Sequence, residues 1–283
     1  VGNMSFQDAV NAFGFEMFTK LVDREDGNVF VSPYSIFTAL AMTYEGAVGT
    51  TADQMAAVLQ IEQDNASFHQ YVQNLYAEFN AESAEYNLST ANALWVKENL
   101  EILESYLTVI EDFYGGRATD VDFTDAITAA AIINSWVENQ TNNLIKDLVP
   151  ADALSPLTAL VLTNAIYFKG QWQVMFDAAN TTDRTFTTMN AGEKMVETMK
   201  MVDTHDEFNY AETDMEQILE LPYTGDDISM VVVLPKENAS LDTLLNTVNN
   251  DMLTTWTGSI APREVDIYLP KFTVESSYSL VNT

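Results

Sequence analysis

The sequence has no cysteine and little positive charge, and each shortage removes a class of function. Without cysteine, the 283 residues form no disulfide bond and carry no thiolate nucleophile. Only 12 Lys and Arg stand against 42 Asp and Glu, which gives a formal net charge of -30. This charge argues against binding to nucleic acids and to anionic membrane surfaces, because both of those partners are negatively charged themselves.

Histidine is also scarce, since His69 and His205 are the only two. Nucleophile-elbow, phosphate-loop, dinucleotide and zinc-spacing motifs are all missing from the sequence, so we predict no catalytic residue, no metal and no cofactor. His205 lies among acidic residues at 203–207 and is the one candidate for a weak metal ligand, although a solvated turn is the favoured interpretation. His69 lies in a polar helical segment, and we expect it at the surface.

The few cations are unevenly distributed along the chain. No Lys or Arg occurs from residue 25 to residue 96, so a heparin-like polyanion has no basic helix to bind there. The composition is otherwise that of a globular protein, 47% hydrophobic and 19% charged, and no window predicts a transmembrane helix.

Hydrophobic periodicity places helices mainly in the first half and strands mainly in the second, which predicts an α+β fold. The predicted helices cover 5–22, 33–44, 51–59, 66–81, 102–114 and 127–145, with two short helices near 240–257. The predicted strands cover 28–31, 86–96, 120–123, 160–170, 184–188, 208–211, 217–221, 228–234 and 265–269. Neither a repeat nor a low-complexity linker interrupts residues 1–283, so we predict a single domain.

The stretch Leu160–Phe176 opens with an apolar run that contains a conspicuous polar residue and breaks at Lys169 and Gly170. A continuous apolar run predicts a strand that is covered on both faces. Asn164 lies in its middle, and a buried amide is costly unless it is hydrogen-bonded. We therefore expect Asn164 to belong to a polar network inside a sheet, and such a network can mark a place where the sheet changes state.

Taken together with other segments, this run resembles the serpin family of serine protease inhibitors. The segments that carry the resemblance are Asn28–Ile36, Ala41–Leu59, Ile133–Val137 with Thr141, Ile145 and Leu148, Leu162–Phe176, Leu221–Tyr223, Val232–Pro235 and Leu269–Phe272. Each segment alone is a weak signal. Their occurrence in the family's order along most of the chain makes the resemblance specific.

The resemblance implies a fold with three β-sheets, about nine helices and a large central mixed sheet that can accept an inserted strand. It also implies that residues 1–283 stop before the family's last long helix, its reactive loop and its final strands. The domain would therefore be truncated at its C-terminus, and the reactive bond would be absent from this chain.

The function that the resemblance implies is inhibition rather than catalysis. A serpin is a suicide substrate of a serine protease, or alternatively of a cysteine protease, and it traps the acyl-enzyme by inserting its cleaved loop into the central sheet. The family further implies a monomer when complete, in an extracellular or cell-surface location. Two alternatives stay open: a non-inhibitory serpin with a carrier, storage or chaperone role, and, more remotely, a metal-assisted hydrolase that uses His205.

Five residues match functional positions of the family. Ser32, Ser35 and Asn164 match its "shutter", where serine hydroxyls would suit the amide of Asn164. Gly170 and Trp172 match the region where the loop enters the sheet. Ser32 has a second interpretation from the sequence alone, since a serine before Pro33 is a typical helix N-cap.

Overall fold

The computed structural model describes residues 5–61, 65–189, 192–202, 205, 207–276 and 278. Over these residues the chain forms eight α-helices and ten strands. The helices are α1 (Phe6–Arg24), α2 (Pro33–Tyr44), α3 (Thr50–Val58), α4 (Asn65–Phe79), α5 (Glu104–Tyr114), α6 (Ala126–Gln140), α7 (Leu241–Thr247) and α8 (Asn250–Ser259). The strands are β1 (Tyr86–Lys97), β2 (Arg117–Val121), β3 (Leu160–Gly170), β4 (Thr182–Thr188), β5 (Gly192–Met201), β6 (Glu207–Glu212), β7 (Glu216–Pro222), β8 (Ser229–Pro235), β9 (Ala261–Glu264) and β10 (Ile267–Pro270).

The strands form three sheets, which confirms the predicted number. Their strand orders are β2-β1-β3, β10-β5-β4 and β8-β7-β6-β9. We call the first of them the Asn164 sheet, because β3 carries that residue. The α+β class is also confirmed.

The Asn164 sheet is mixed, as predicted. Strand β1 pairs in parallel with β2. On its other side, the N–H of Lys97 donates to the carbonyl of Ala159 at 3.0 Å, whereas Asn92 meets Asn164. Residue numbers therefore fall along β1 as they rise along β3, which makes this pair antiparallel.

The chain divides into two compact units. The first contains the residues up to Gly14 together with Ser32–Lys169, and the second contains Phe15–Val31 together with the residues from Gly170 onward. Helix α1 contributes to both units. The assignment of residues 1–283 to a single domain stays a prediction.

One part of the core of the first unit lies where α6 packs against the Asn164 sheet. Ile133 of α6 and Phe123 are fully buried there with Trp95 of β1. The indole of Trp95 meets the ring of Trp136 edge-on, with centroids 5.6 Å apart. This aromatic contact helps to fix α6 on the sheet.

Two apolar clusters form the core of the second unit. Met201, Phe208 and Leu221 lie in one of them, and Ile218 and Trp256 lie in the other. Strand β7 contributes to both clusters, because Ile218 and Leu221 lie on opposite faces of the strand and both are buried. Strand β10 alternates buried Ile267 and Leu269 with exposed Tyr268, so it contributes to the first cluster only.

Several element predictions were wrong. Residues 28–31 form no strand, because the N–H of Phe30 donates to the hydroxyl of Tyr278 instead of to a neighbouring strand. Helix α6 ends at Gln140 rather than near 145, since Asn142 and Asn143 adopt left-handed φ values of 50° and 61°. Strands β5 and β9 were missed.

The starts and ends of two helices agree with their sequence signals. The N–H of Ser35 donates to the Oγ of Ser32 at 3.3 Å, so Ser32 is the N-cap of α2 and Pro33 its first residue. Helix α5 ends at Gly115, whose left-handed φ of 59° suits glycine. No helix of the described residues has the length and apolar content needed to span a bilayer.

Candidate functional site

Asn164 lies in a buried chain of amides that links two strands to a helix end. Its Nδ2 donates to the Oδ1 of Asn92 on β1 at 2.8 Å. The Nδ2 of Asn92, a residue only 3% exposed, in turn donates to the main-chain carbonyl of Tyr114 at 2.7 Å. This carbonyl is in the last turn of α5, where helix carbonyls lack an intrahelical partner. The polar network predicted around Asn164 thus exists, and Asn92 is its second member.

The side-chain carbonyl oxygen of Asn164 differs from the amide nitrogen in its hydrogen bonding. The Oδ1 of Asn164 is buried and has no hydrogen-bond partner, the one such side-chain atom among the described residues. A buried acceptor without a partner costs free energy that a suitable donor would recover. Within the described residues, the Nδ2 of Asn164 is therefore satisfied by Asn92, whereas its Oδ1 has no donor.

The two serines do not fill this open position. Ser32 accepts from the backbone of Ser35 as the cap of α2, and neither serine forms a hydrogen bond with Asn164 within the described part of the chain. The proximity of the serine hydroxyls to Asn164 was expected from the family resemblance alone. The switch role of Ser32, Ser35 and Asn164 stays a prediction.

The neighbouring residue of β3 makes a second buried bond across the same strand pair. The Nε1 of Trp95 donates to the Oγ1 of Thr163 at 3.0 Å, and both residues are almost inaccessible to solvent. Further along, Asn134 of α6 makes two bonds with the main chain of Val149, one as donor at 2.9 Å and one as acceptor at 2.8 Å. These contacts hold α6 and the segment that follows it on the Asn164 sheet.

A second polar cluster, formed by Glu45, His69 and Tyr114, lies in the same unit. The Tyr114 hydroxyl donates to the Oε1 of Glu45 at 2.8 Å, and the Nε2 of His69 lies 2.9 Å from Oε2. Because a carboxylate only accepts, Nε2 is the nitrogen that carries the proton. Burial, followed by the charge of Glu45, raises the pKa of Tyr114.

The surface position predicted for His69 was wrong. Its side chain is only 16% exposed, and its ring stacks on Phe113 with centroids 4.4 Å apart. The preceding Phe68 is fully buried against rings of α1 and α2, whereas His69 itself contacts α5. A buried carboxylate needs donors, and His69 supplies one in a stretch of sequence without Lys or Arg.

The two residues assigned to the point of loop insertion lie at the end of β3 and just beyond it. Gly170 is the last residue of β3, and Trp172 stacks on Tyr223 with ring centroids 4.4 Å apart and planes 15° apart. Backbone hydrogen bonds flank this stack. The N–H of Thr224 donates to the carbonyl of Gln171 at 2.8 Å, and the N–H of Gln173 donates to the carbonyl of Pro222. Burial raises the pKa of Tyr223. Trp172 thus packs at the end of β7. Its role in loop insertion stays a prediction.

His205 has little around it that could form a metal site. Its side chain is 85% exposed and lies 3.7 Å from Glu264, which is 65% exposed. Among the described residues, no group of three or more His, Cys, Asp and Glu side chains could hold a metal ion. Asp203 and Asp206, the other candidate ligands, lie outside the described residues.

Sequence reasoning missed Asn92, although a signal for it was present. Asn92 stands in the apolar run Ala91–Val96, just as Asn164 stands in its own run. Two amides in two buried strands are a natural pair, because each supplies what the other needs. Glu45 gave no comparable signal, since one acid among 42 does not stand out.

Comparison with known proteins identifies the family. The family model described as "Serpin (serine protease inhibitor)" matches residues 8–283. An uncharacterized serpin-like protein of Thermococcus kodakarensis is 41% identical over 283 residues, which cover 96% of this chain and 63% of that protein. Human Serpin B4 is 36% identical over 299 residues, covering 99% of this chain and 76% of that protein.

Solved structures agree with these relatives. Emu ovalbumin has a TM-score of 0.93 at 32% identity, covering 98% of this chain and 76% of that one. A loop-inserted structure of a cleaved ovalbumin mutant has a TM-score of 0.91 at 30% identity, covering 98% and 77%. The chain thus spans 63% of the archaeal relative and about three quarters of the ovalbumin chains. By its sequence and its fold, the chain belongs to the serpin family.

Proposed function

We propose that the complete protein inhibits serine proteases as a suicide substrate. A target protease would attack a peptide bond in an exposed loop outside residues 1–283 and form an acyl-enzyme. The cleaved loop would then add to the Asn164 sheet as a new strand before the ester is hydrolysed. Family membership supports this mechanism, and the Asn164 sheet is where it would operate.

The observation that carries the proposal is the unpartnered Oδ1 of Asn164. Strand β3 is the last strand of its sheet among the described residues, with β1 as its one neighbour. A buried acceptor without a donor costs about 1–3 kcal/mol. A further strand that brought a donor to this position would recover that free energy. The family resemblance implies that this donor is a histidine from the segment beyond Thr283.

Trp172 and Gly170 would define where insertion begins. The backbone bonds between Gln171 and Thr224, and between Gln173 and Pro222, tie the segment after β3 to the end of β7. We propose that the Trp172–Tyr223 stack sets part of the barrier to insertion.

The test is covalent complex formation by the complete protein. The protein is mixed with trypsin-like, chymotrypsin-like and elastase-like serine proteases, and with a papain-like cysteine protease as a second class. We expect a complex of one inhibitor and one serine protease that survives boiling in detergent. Cleavage of the protein by every protease, without any complex, would contradict inhibition.

A non-inhibitory carrier, storage or chaperone role is the second candidate. Its support is the close match to emu ovalbumin, with a TM-score of 0.93. This candidate predicts cleavage of the loop without a complex. A metal-assisted hydrolase gains no support from the exposed His205–Glu264 pair.

A further inference from the structure

The charges of the sheet β10-β5-β4 are sorted by face. Side chains alternate between the two faces of a strand, and residues that lie directly opposite each other on paired strands share a face. Phe186 is opposite Lys194, and Tyr268 is opposite Lys200. Arg184 shares this face, since it is two residues from Phe186. We call this surface the basic face, and its charged and aromatic members are Arg184, Phe186, Lys194, Lys200 and Tyr268.

The opposite face carries the acidic residues of the same strands. Asp183 is directly opposite Glu197. Glu193 lies four residues before Glu197 on the same strand, so its side chain is on the same face. Glu197 has a cationic neighbour of its own, Lys271, at 3.6 Å. The three strands place no Asp or Glu on the basic face. With 42 acids and only 12 cations in the chain, three clustered cations that form no ion pair within the described residues make a surface suited to an anionic partner.

The basic face is accessible and its cations are unpaired. Arg184 and Lys194 are exposed, and Phe186 and Tyr268 are 43% and 44% exposed. None of its three cations forms an ion pair with a carboxylate that the structure describes; they are Arg184, Lys194 and Lys200. The guanidinium of Arg184 lies over the ring of Tyr268, 4.0 Å from its centroid. This stack orients the guanidinium and leaves its N–H edge free to bind a carboxylate with two hydrogen bonds.

We propose that the basic face binds an extended acidic segment of a partner protein. Arg184 and Lys194 are diagonal neighbours on paired strands, which lie about 7–8 Å apart, with their Cβ atoms somewhat closer. Carboxylates at alternating positions of an extended chain recur about every 6.6–6.8 Å, which matches this spacing. Phe186, directly opposite Lys194, offers an apolar contact for a side chain of the same segment. The proposal does not depend on protease inhibition.

Two features favour an acidic peptide over other anionic partners. The ring face of Tyr268 is already covered by Arg184, so it is not free to stack with a nucleic-acid base. In addition, a net charge of -30 repels a long polyanion or an anionic bilayer far more than a short segment with a few carboxylates.

The test measures binding of a fluorescein-labelled peptide of about eight residues with alternating Glu and Thr. Fluorescence anisotropy is recorded with the complete protein at about 50 mM salt, where surface charges are weakly screened. A Gln-Thr peptide of the same length is the neutral control. We expect the Glu-Thr peptide to bind at least about tenfold more tightly than the Gln-Thr peptide.

Two triple variants with equal change in net charge separate the face from the overall charge. Arg184→Gln with Lys194→Gln and Lys200→Gln removes the basic face. Lys20→Gln with Arg117→Gln and Lys146→Gln removes three exposed cations elsewhere. We expect the first triple to weaken binding about tenfold or more and the second by less than about threefold. Equal losses in the two triples would overturn the proposal.

A conservative variant guards against an effect of misfolding. Arg184→Lys keeps the charge but loses the planar fork and the stack on Tyr268, so we expect a loss of about threefold or more. Unchanged binding by this variant would contradict the role given to Arg184. Tighter binding of oligo-dT or of vesicles with phosphatidylserine would overturn the proposal in favour of those partners. A dimer of the wild-type protein that the face triple abolishes would overturn it in favour of self-association.

Discussion

The first unit contains two buried polar clusters that differ in how completely they are bonded. Around Glu45, both carboxylate oxygens accept, from Tyr114 and from His69. Around Asn164, the Nδ2 donates to Asn92 while the Oδ1 has no partner. A closed cluster stabilises one arrangement, whereas an open one has free energy to gain from a further contact. The Glu45 cluster is thus fully bonded, whereas the Asn164 cluster has one acceptor without a donor among the described residues.

Tyr114 connects the two clusters. Its hydroxyl donates to Glu45 and its main-chain carbonyl accepts from Asn92. The chain of hydrogen bonds therefore runs from His69 through Glu45, Tyr114 and Asn92 to Asn164. Substitutions along it should distinguish the closed end from the open end.

The largest effect is expected from Asn92→Ala. This change leaves the carbonyl of Tyr114 and the Nδ2 of Asn164 without partners, and each orphaned buried group costs about 1–3 kcal/mol. The free energy of unfolding should fall by the sum of the two costs, as measured by urea denaturation of the complete protein. Asn209→Ala is the matched control, because Asn209 bonds Glu220 at the surface, and it should change stability by less than about 0.5 kcal/mol.

A smaller effect, confined to the closed cluster, is expected from Tyr114→Phe. The ring stays, but Glu45 loses a donor, and a hydrogen bond to a charged group is worth about 1.5–3 kcal/mol. Tyr106→Phe removes a hydroxyl that donates to the carbonyl of Met42, so it should cost only about 1 kcal/mol. An equal cost in the two variants, in parallel urea titrations, would show that Glu45 is not a charged acceptor.

Asn164→Ala should have a still smaller effect on stability and a distinct effect on polymerisation. The change removes the bond to Asn92, and an ordinary hydrogen bond is worth about 0.5–1.5 kcal/mol, so the cost should be of that size. If the switch role holds, the complete protein should nevertheless polymerise faster on mild heating, as followed by native gel electrophoresis. Wild-type rates of polymerisation in this variant would remove Asn164 from the switch.

The smallest effect concerns the N-cap of α6, the helix on the Asn164 sheet. The Thr128 hydroxyl and then its N–H donate to Asp125 and hold the pKa of this carboxyl below its ordinary value of 3.8. A lowered pKa in the folded state means that the stabilisation is complete above the unfolded-state pKa and is lost as pH falls through the folded-state value. The stability difference between wild type and Asp125→Asn should therefore disappear as the pH falls through the folded-state pKa of Asp125. Asn249→Ala, at the uncharged cap of α8, should show a penalty that does not vary with pH.

Prediction from sequence succeeded where one segment carries its own signal. The cap at Ser32, the stop at Gly115 and the apolar strand around Asn164 are all local features, and each one formed as predicted. Strand β5 was missed because Glu193, Lys194, Glu197 and Lys200 break up its apolar pattern. The short β9 contains Pro262, which argues against a strand.

The partners of buried polar groups were harder to predict than the groups themselves. Asn164 and Asn92 are 72 residues apart, and His69 and Glu45 are 24 apart, so only the tertiary fold brings each pair together. The periodicity of α4 shows which residues share a side of the helix, but not that His69 meets the carboxylate of Glu45 just after α2. The sorting of charge on the sheet β10-β5-β4 likewise depends on the register of its strands.

The central claim is that the Asn164 sheet gains stability when it receives a further strand. The most direct measurement compares the melting temperature of the complete protein before and after a trace of protease cleaves its exposed loop. We predict that the cleaved protein melts at a much higher temperature, because the inserted strand adds hydrogen bonds to the Asn164 sheet. A cleaved protein that melts at the same temperature as the intact one, or lower, would contradict the account.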